Sequence, residues 1–505
     1  MIRLNQKHAF LDVLLTAVCA AAMIAGGASG VFAQDTTERL IELLRTNGSL
    51  TPAQYEALHG SLPKEGAAGS DAVTRQLIDV LHANGTLSDA AYRELTGAPA
   101  AAPAVAAPVE AVAPKEEENA AKAEKKEEEE GYDVDVGSGG LVVETKDGRS
   151  SFELGGRVHV DAAFFDNDGQ PDSGNATEVR RFRVELGGKI NKVWEYGAAV
   201  DFGGGDVQLK STYVSYVGFK PITITSGNWK EPFSMEELES SNYITFMERT
   251  SPNVLVPSRN PGIGAEAYSD HWTLGGGAFG EGFDDEHEDG VDESFGFVGR
   301  ATVAPWNEKT RILHLGTATE YRIYDHDAEV SFDERWDVHL ADDSLVDTGT
   351  LTDIDDIWRT NGEIAGVLGP FTAQAEWIGA QLDRRNAPDA LLQGWYAYGA
   401  WTLTGESRIY KARRGCFDGI EPFHPVGSGG WGAWQVGLRY GVLDLSDEDI
   451  VGGEQDVLTV GLNWYALRNI RFMANWVKVL DLHRPGTDAN NDNPSAFQVR
   501  SQVNW

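Results

Sequence analysis

Between residues 131 and 505 the chain is rich in stretches whose side chains alternate between apolar and polar with a period of two, punctuated by Gly, Asn and Asp. In SFELGGRVHVDAAFF (151–165), Phe152, Leu154, Val158, Val160 and Phe164 oppose Glu153, Arg157, His159 and Asp161. In EVRRFRVELGGKI (178–190), Phe182, Val184, Leu186 and Ile190 oppose Arg181, Arg183, Glu185 and Lys189. WEYGAAVDF (194–202) and AWQVGLRYGVL (433–443) repeat the pattern, and AFQVRSQVNW (496–505) carries it to the last residue. A period of two places successive side chains on opposite faces of a β-strand. Here the polar face is charged in strand after strand, and the apolar face is rich in aromatics. Lipid outside and water inside give each face a matching solvent, and closure of the sheet leaves no unpaired edge. The pattern therefore predicts an all-β fold, a transmembrane antiparallel β-barrel. At roughly 23 residues per strand and connection, the segment holds about 16 strands.

The connections predicted between strands are unequal. Gly369–Phe371, Phe219–Pro221 and Ala466–Asn469 are tight, whereas 281–293 and much of 325–356 are long and acidic. Short turns on one side and long loops on the other are the pattern of outer-membrane barrels.

The chain ahead of residue 131 reads differently. Residues 1–33 carry Arg3 and Lys7, then a mostly apolar run, then Val31-Phe32-Ala33, which predicts a secretory signal cut after Ala33. Residues 34–97 contain a duplication: TTERLIELLRTNGSLTPAQYEALHG (36–60) returns as VTRQLIDVLHANGTLSDAAYRELTG (73–97), shifted by 37. Each copy reads as helix, Asn-Gly stop, and a second helix capped by Thr51 or Ser88. A unit this short cannot bury its own apolar face. A packed helical pair without a ligand, self-association, and docking on peptidoglycan all remain open. Residues 98–130 are rich in Ala and Pro and then in Glu and Lys, which predicts a soluble spacer, with a coiled-coil role as the alternative.

Composition narrows the function. The formal charge is −36, which argues against nucleic acid as a partner. The two cysteines are Cys19, within the signal, and Cys416, so the exported chain has no internal disulfide. The histidines are scattered without metal-ligand spacing, and Ser407 in GESR lacks the second glycine of a nucleophile elbow. Neither a metal, a cofactor nor an enzymatic site is predicted.

Three stretches resemble a known family. VSYVGFKPITITSGNWKEPFSMEELESSNYITFMERTSPNVLVPSRNPGIG (214–264) is similar to the phosphate-selective porin O and P family. So are LTGESRIYKARRGCFDGIEPFHP (403–425), and GAWQVGLRYGVLDLSD (432–447) with LTVGLNWYALRNIRFMANWVKV (458–479). The resemblance implies a trimer of 16-stranded barrels in the outer membrane. Each barrel would pass anions, phosphate or polyphosphate, through a constriction of Lys and Arg narrowed by an inward-folded loop. The matching residues in this chain are Lys230, Arg249 and Arg259 in the first stretch and Arg408 in the second, with Lys411, Arg413 and Arg414 beside it.

Alternation supplies further candidates. Arg157, Arg181, Arg183, Lys189, Arg300, Arg439 and Arg500 fall on polar faces, while Arg180 falls by register on the lipid side. Cations spaced along a wet wall lower the barrier to an anion. The same residues could instead pair with carboxylates such as Glu153 and Asp161 as structural ion pairs. Of the −36, residues 1–130 contribute −8, which leaves the barrel region at −28. A phosphate pore therefore requires that the acid sit mainly in outer loops. A general or cation-preferring porin, and a tether from outer membrane to cell wall through residues 34–97, are the alternatives.

Overall fold

The computed structural model describes residues 131–137, 139–166, 173–282, 292–487 and 489–505. The signal, the duplicated region and the spacer lie outside the described residues, as does most of the acidic run 281–293.

A short hairpin, Tyr132–Gly137 and Gly140–Thr145, precedes the barrel. Sixteen strands then run antiparallel around a closed sheet. They are β1 Ser151–Asp166, β2 Ala176–Ile190, β3 Trp194–Asp201, β4 Gln208–Phe219, β5 Ile222–Lys230, β6 Arg259–Tyr268, β7 Trp272–Phe279 and β8 Phe295–Glu308. The second half is β9 Arg311–Ile323, β10 Ile354–Leu368, β11 Phe371–Arg384, β12 Ala390–Thr402, β13 Ala433–Asp447, β14 Ile450–Leu467, β15 Ile470–His483 and β16 Ser495–Asn504. β16 pairs with β1 from Ser495↔Asp166 to Asn504↔Arg157, which closes the cylinder. Trp505 finishes the seam. Its N–H donates to the Gly156 carbonyl at 3.1 Å, and its own carbonyl accepts from Gly156 N at 2.9 Å.

The faces sort as the alternation predicts. Val160, Phe164, Phe182, Leu186 and Phe497 are exposed on the outer wall, and Arg157, His159, Asp161, Arg183, Gln498 and Arg500 are buried inside. Aromatic side chains ring one rim on the outside. Trp194 lies 4.9 Å from Tyr216, Phe371 5.7 Å from Trp401, and Trp434 5.6 Å from Trp464. An apolar band edged by aromatics is the outer surface of a barrel that spans a bilayer. Arg180 departs from the expected face. The ladder pairs His159 with Arg181 but Val160 with Val179, so Arg180 is the extra residue of a β-bulge, and it turns inward beside Arg181.

The connections are unequal, with one exception that the sequence did not suggest. On the rim holding β1's start and Trp505, six turns of two or three residues join the strands, but the seventh connection is 403–432. This rim is the periplasmic one by the short-turn rule. The opposite rim carries 231–258, 280–294 and 324–353 as its long connections.

The bore is not wet all round. On β10 to β15 the inward residues toward the loop rim include Ile357, Leu382, Leu392, Leu443, Val457 and Val479, all buried. They pack against Trp336, Val338 and Leu345 of 324–353 and against Phe233 and Leu255 of 231–258. Alternation identifies which residues face the bore. It does not tell whether water or a folded loop meets them there.

Candidate permeation site

The loop 231–258 folds into the bore and is held there through many separate contacts. Its short helix α1, Met235–Leu238, starts at Ser234, whose hydroxyl accepts from Glu237 N at 3.3 Å. The Glu376 carboxylate of β11 accepts from Met235 N at 3.0 Å and Glu236 N at 2.8 Å, which satisfies N–H groups that a helix start leaves open. Arg408 reaches in from 403–432 and pairs with Glu239 at 2.7 Å. Its other donors meet the hydroxyls of Thr245 at 2.5 Å and Tyr398 at 2.8 Å. Arg439 of β13 pairs with Asp337 of 324–353 at 2.8 Å and donates to the Glu248 carbonyl at 2.9 Å. Arg471 of β15 donates to the carbonyls of Ile244 at 2.8 Å and Thr245 at 3.0 Å. Arg500 of β16 binds Asp161 at 2.6 Å and Glu248 at 2.6 Å. These anchors occupy the side of the bore formed by β11 to β16.

The open passage lies on the other side. A cavity of about 1080 Å³ is walled by β1 to β7, the near edge of 231–258, and residues 411–418 of the rising segment 403–432. Trp229 and Phe279 pack 4.8 Å apart at its wall, while Gly264, Gly275 and Gly276 leave it room. Eleven Lys and Arg line it, against seven Asp and Glu.

Six of the eleven cations picked out in the sequence come together here. Arg183 is clamped to Asp201 at 2.8 Å, and Arg157 pairs with Glu185 and donates to Ser241 Oγ at 2.9 Å. Arg181 lies 3.7 Å from Glu248, which Arg180 also binds at 2.9 Å. Lys230 and Arg249 both hold Glu237, at 3.0 and 3.1 Å. Burial alone would raise the Glu237 carboxyl, but Arg249 and Lys230 bring it down to about 2. Burial likewise opposes charge on Glu248, and Arg180, Arg181 and Arg500 hold it well below the usual carboxylate range. Arg259 is different: its Nε donates to Ser211 Oγ at 3.1 Å, and no carboxylate among the described residues lies within ion-pair reach.

The other five lie away from this cavity. Arg300 binds Glu363 at 2.6 Å and the carbonyl of Gly415 at 2.7 Å. Arg408, Arg439 and Arg500 are buried in the contacts that fix 231–258. Lys189 is exposed near the turn rim, 4.0 Å from Glu195. Five further cations line the cavity. Lys210 of β4 is legible by alternation, Arg180 is hidden by the bulge, and Lys411, Arg413 and Arg414 stand in the KARRG run beside Arg408.

Comparison with known proteins follows the same segment. Residues 152–505 match the family described as Phosphate-selective porin O and P. Porin O of Pseudomonas aeruginosa is 30% identical over 386 residues, covering 67% of this chain and 85% of that protein. An uncharacterized protein of Caulobacter vibrioides is 32% identical over 344 residues, covering 65% of this chain and 68% of that protein. Among solved structures, an anion-selective porin from Comamonas acidovorans superposes with a TM-score of 0.44 at 13% identity, covering 70% of this chain and 100% of that one.

Proposed function

The chain belongs to the phosphate-selective porin O and P family, and on that premise we propose that it lets small anions, phosphate or polyphosphate among them, diffuse passively across the outer membrane. The observation that carries this reading is a charge inversion. The barrel region totals −28, yet the cavity lining holds eleven cations against seven carboxylates. An anion entering that passage meets an excess of fixed positive charge inside low-dielectric walls, where each charge acts more strongly than in bulk water.

The cations are also dispersed. Arg183 is neutralised by Asp201, Arg249 by Glu237, and Arg259 by no carboxylate among the described residues. A permeant therefore finds several weak steps rather than one deep well, which is what conduction requires. Arg presents two parallel N–H groups to phosphate oxygens, whereas Lys acts as a point charge. The working unit in this reading is a homotrimer with its N-terminal region in the periplasm.

Single-channel recording in a salt gradient tests the function. An anion-directed reversal potential, with chloride current blocked by added phosphate, is the expected result. A cation-directed potential with no phosphate block overturns it.

A further inference from the structure

The cations of the passage are unevenly balanced. Lys411, Arg413 and Arg414 stand with Glu195, Glu266 and Asp418, three cations to three carboxylates, whereas the rest of the lining holds eight Lys and Arg against four carboxylates. The excess of positive charge is thus four outside this group and zero within it.

The register places the two glutamates. Glu195, the second residue of β3, pairs across to Ser215, next to the turn rim. Glu266 and Tyr268 of β6 pair with Gly275 and Thr273 of β7, at the same end. The Thr273 hydroxyl donates to the Ala412 carbonyl at 2.6 Å, which sets the run 411–414 against this wall. Arg413 then lies 5.7 Å over the Tyr268 ring, with its Nη2 3.2 Å from Glu195. Lys411 is paired with Asp418 at 3.0 Å. Two charges remain without an ion-pair partner among the described residues, the Arg414 guanidinium and the Glu266 carboxylate, and both line the cavity.

We propose that Glu195 and Glu266 are throughput-determining residues that weaken anion binding at the periplasmic outlet and so speed release. This rests on the anion-porin reading above. An anion drawn into the cationic passage would otherwise stop at Arg413 and Arg414. Glu195 already occupies Arg413, and Glu266 repels whatever sits beside Arg414. A pore needs binding strong enough to admit the ion and weak enough to let it leave. Residues 411–414 come from the periplasmic connection, so the outlet's cations and the two glutamates belong to different parts of the fold.

Glu266→Gln removes a charge without breaking an ion pair, so it isolates the electrostatic effect from a structural one. Full-length protein in planar bilayers, with inorganic phosphate titrated against chloride current, reads the result. The Glu266→Gln single variant and the Glu195→Gln/Glu266→Gln double variant should be half-blocked at lower phosphate. A shift of about three- to tenfold is expected of unit charges acting over roughly 10 Å near water. The current carried by phosphate itself at saturation should fall in parallel. Glu266→Asp should behave as the natural protein. If the natural pore is anion-directed and phosphate-blocked but half-block is unchanged in both variants, this inference fails alone. If the natural pore is cation-directed and unblocked, the function and this inference fall together.

Discussion

Arg249 reaches back across the constriction loop to Glu237, its Nε 3.1 Å from the carboxylate and its Nη2 3.1 Å from the same residue's carbonyl oxygen. The guanidinium also takes the carbonyls of Glu236 at 3.0 Å and Glu239 at 2.9 Å. One side chain therefore holds both the backbone and the charge of α1. Lys230, at the end of β5, grips the same carboxylate from the wall.

The pH response of the loop follows. Glu237 is held at about 2, below an ordinary carboxyl near 4.5. A depressed carboxyl stabilises the fold fully above its unfolded value and loses that contribution as pH falls through the folded value. Burial pushes Glu236 and Glu239 of the same loop up to about 7, so a conductance change near neutral pH belongs to them, and the share of Glu237 is the further noise between about 4.5 and 2 as the loop loosens. Conductance noise that does not change between about pH 4.5 and 2 would show that Glu237 is not a group that fixes the loop.

Arg259 and Arg408 should respond in opposite ways to mutation. Arg259 has Ser211 as its polar contact and faces the cavity. Arg259→Gln should raise the half-blocking phosphate concentration by about three- to tenfold and leave thermal unfolding unchanged, because a charge is lost but no ion pair is broken.

Arg408 is buried, with Glu239, Thr245, Tyr398 and the carbonyls of Tyr243 and Asp418 around it. Arg408→Met strands the Glu239 carboxylate in a dry site, a loss of about 3–5 kcal/mol. The unfolding temperature on heated gels should drop, and conductance should rise as 231–258 comes loose. A selectivity change with unaltered unfolding would place Arg408 on the permeation path instead.

How far the sequence led depends on which residue is asked about. Phe497 and Arg500 are assigned to their faces by alternation, and the closed sheet follows from repeating that rule. Arg408 was marked by the GESR stretch as a candidate for the passage, yet it is consumed in fixing a loop. Arg439 and Arg500 face the bore as the period of two requires, but 231–258 lies over them. Periodicity is a property of one strand, whereas the choice between water and a loop on the inner wall is made by chain distant in sequence. Arg180 was misplaced because a single extra residue shifts the register, and nothing local in EVRRFRV signals it.

Cys416 offers a probe of the rising segment. It is buried against Met235 and Phe417, and burial, with Glu239 nearby, pushes its thiol up to about 12. A maleimide should leave it unlabelled in the folded barrel at pH 7 and label it fully after denaturation. Labelling of the folded protein within minutes would mean that 403–432 swings out of the bore.

The contact between Arg408 and Glu239 has a consequence for rigidity. One residue belongs to a segment that enters from the periplasmic rim and the other to a loop that enters from the outer rim. Each is therefore a latch on the other: a segment that slackened from its own rim would leave its partner's charge stranded inside the cylinder, so the two insertions hold or give way together.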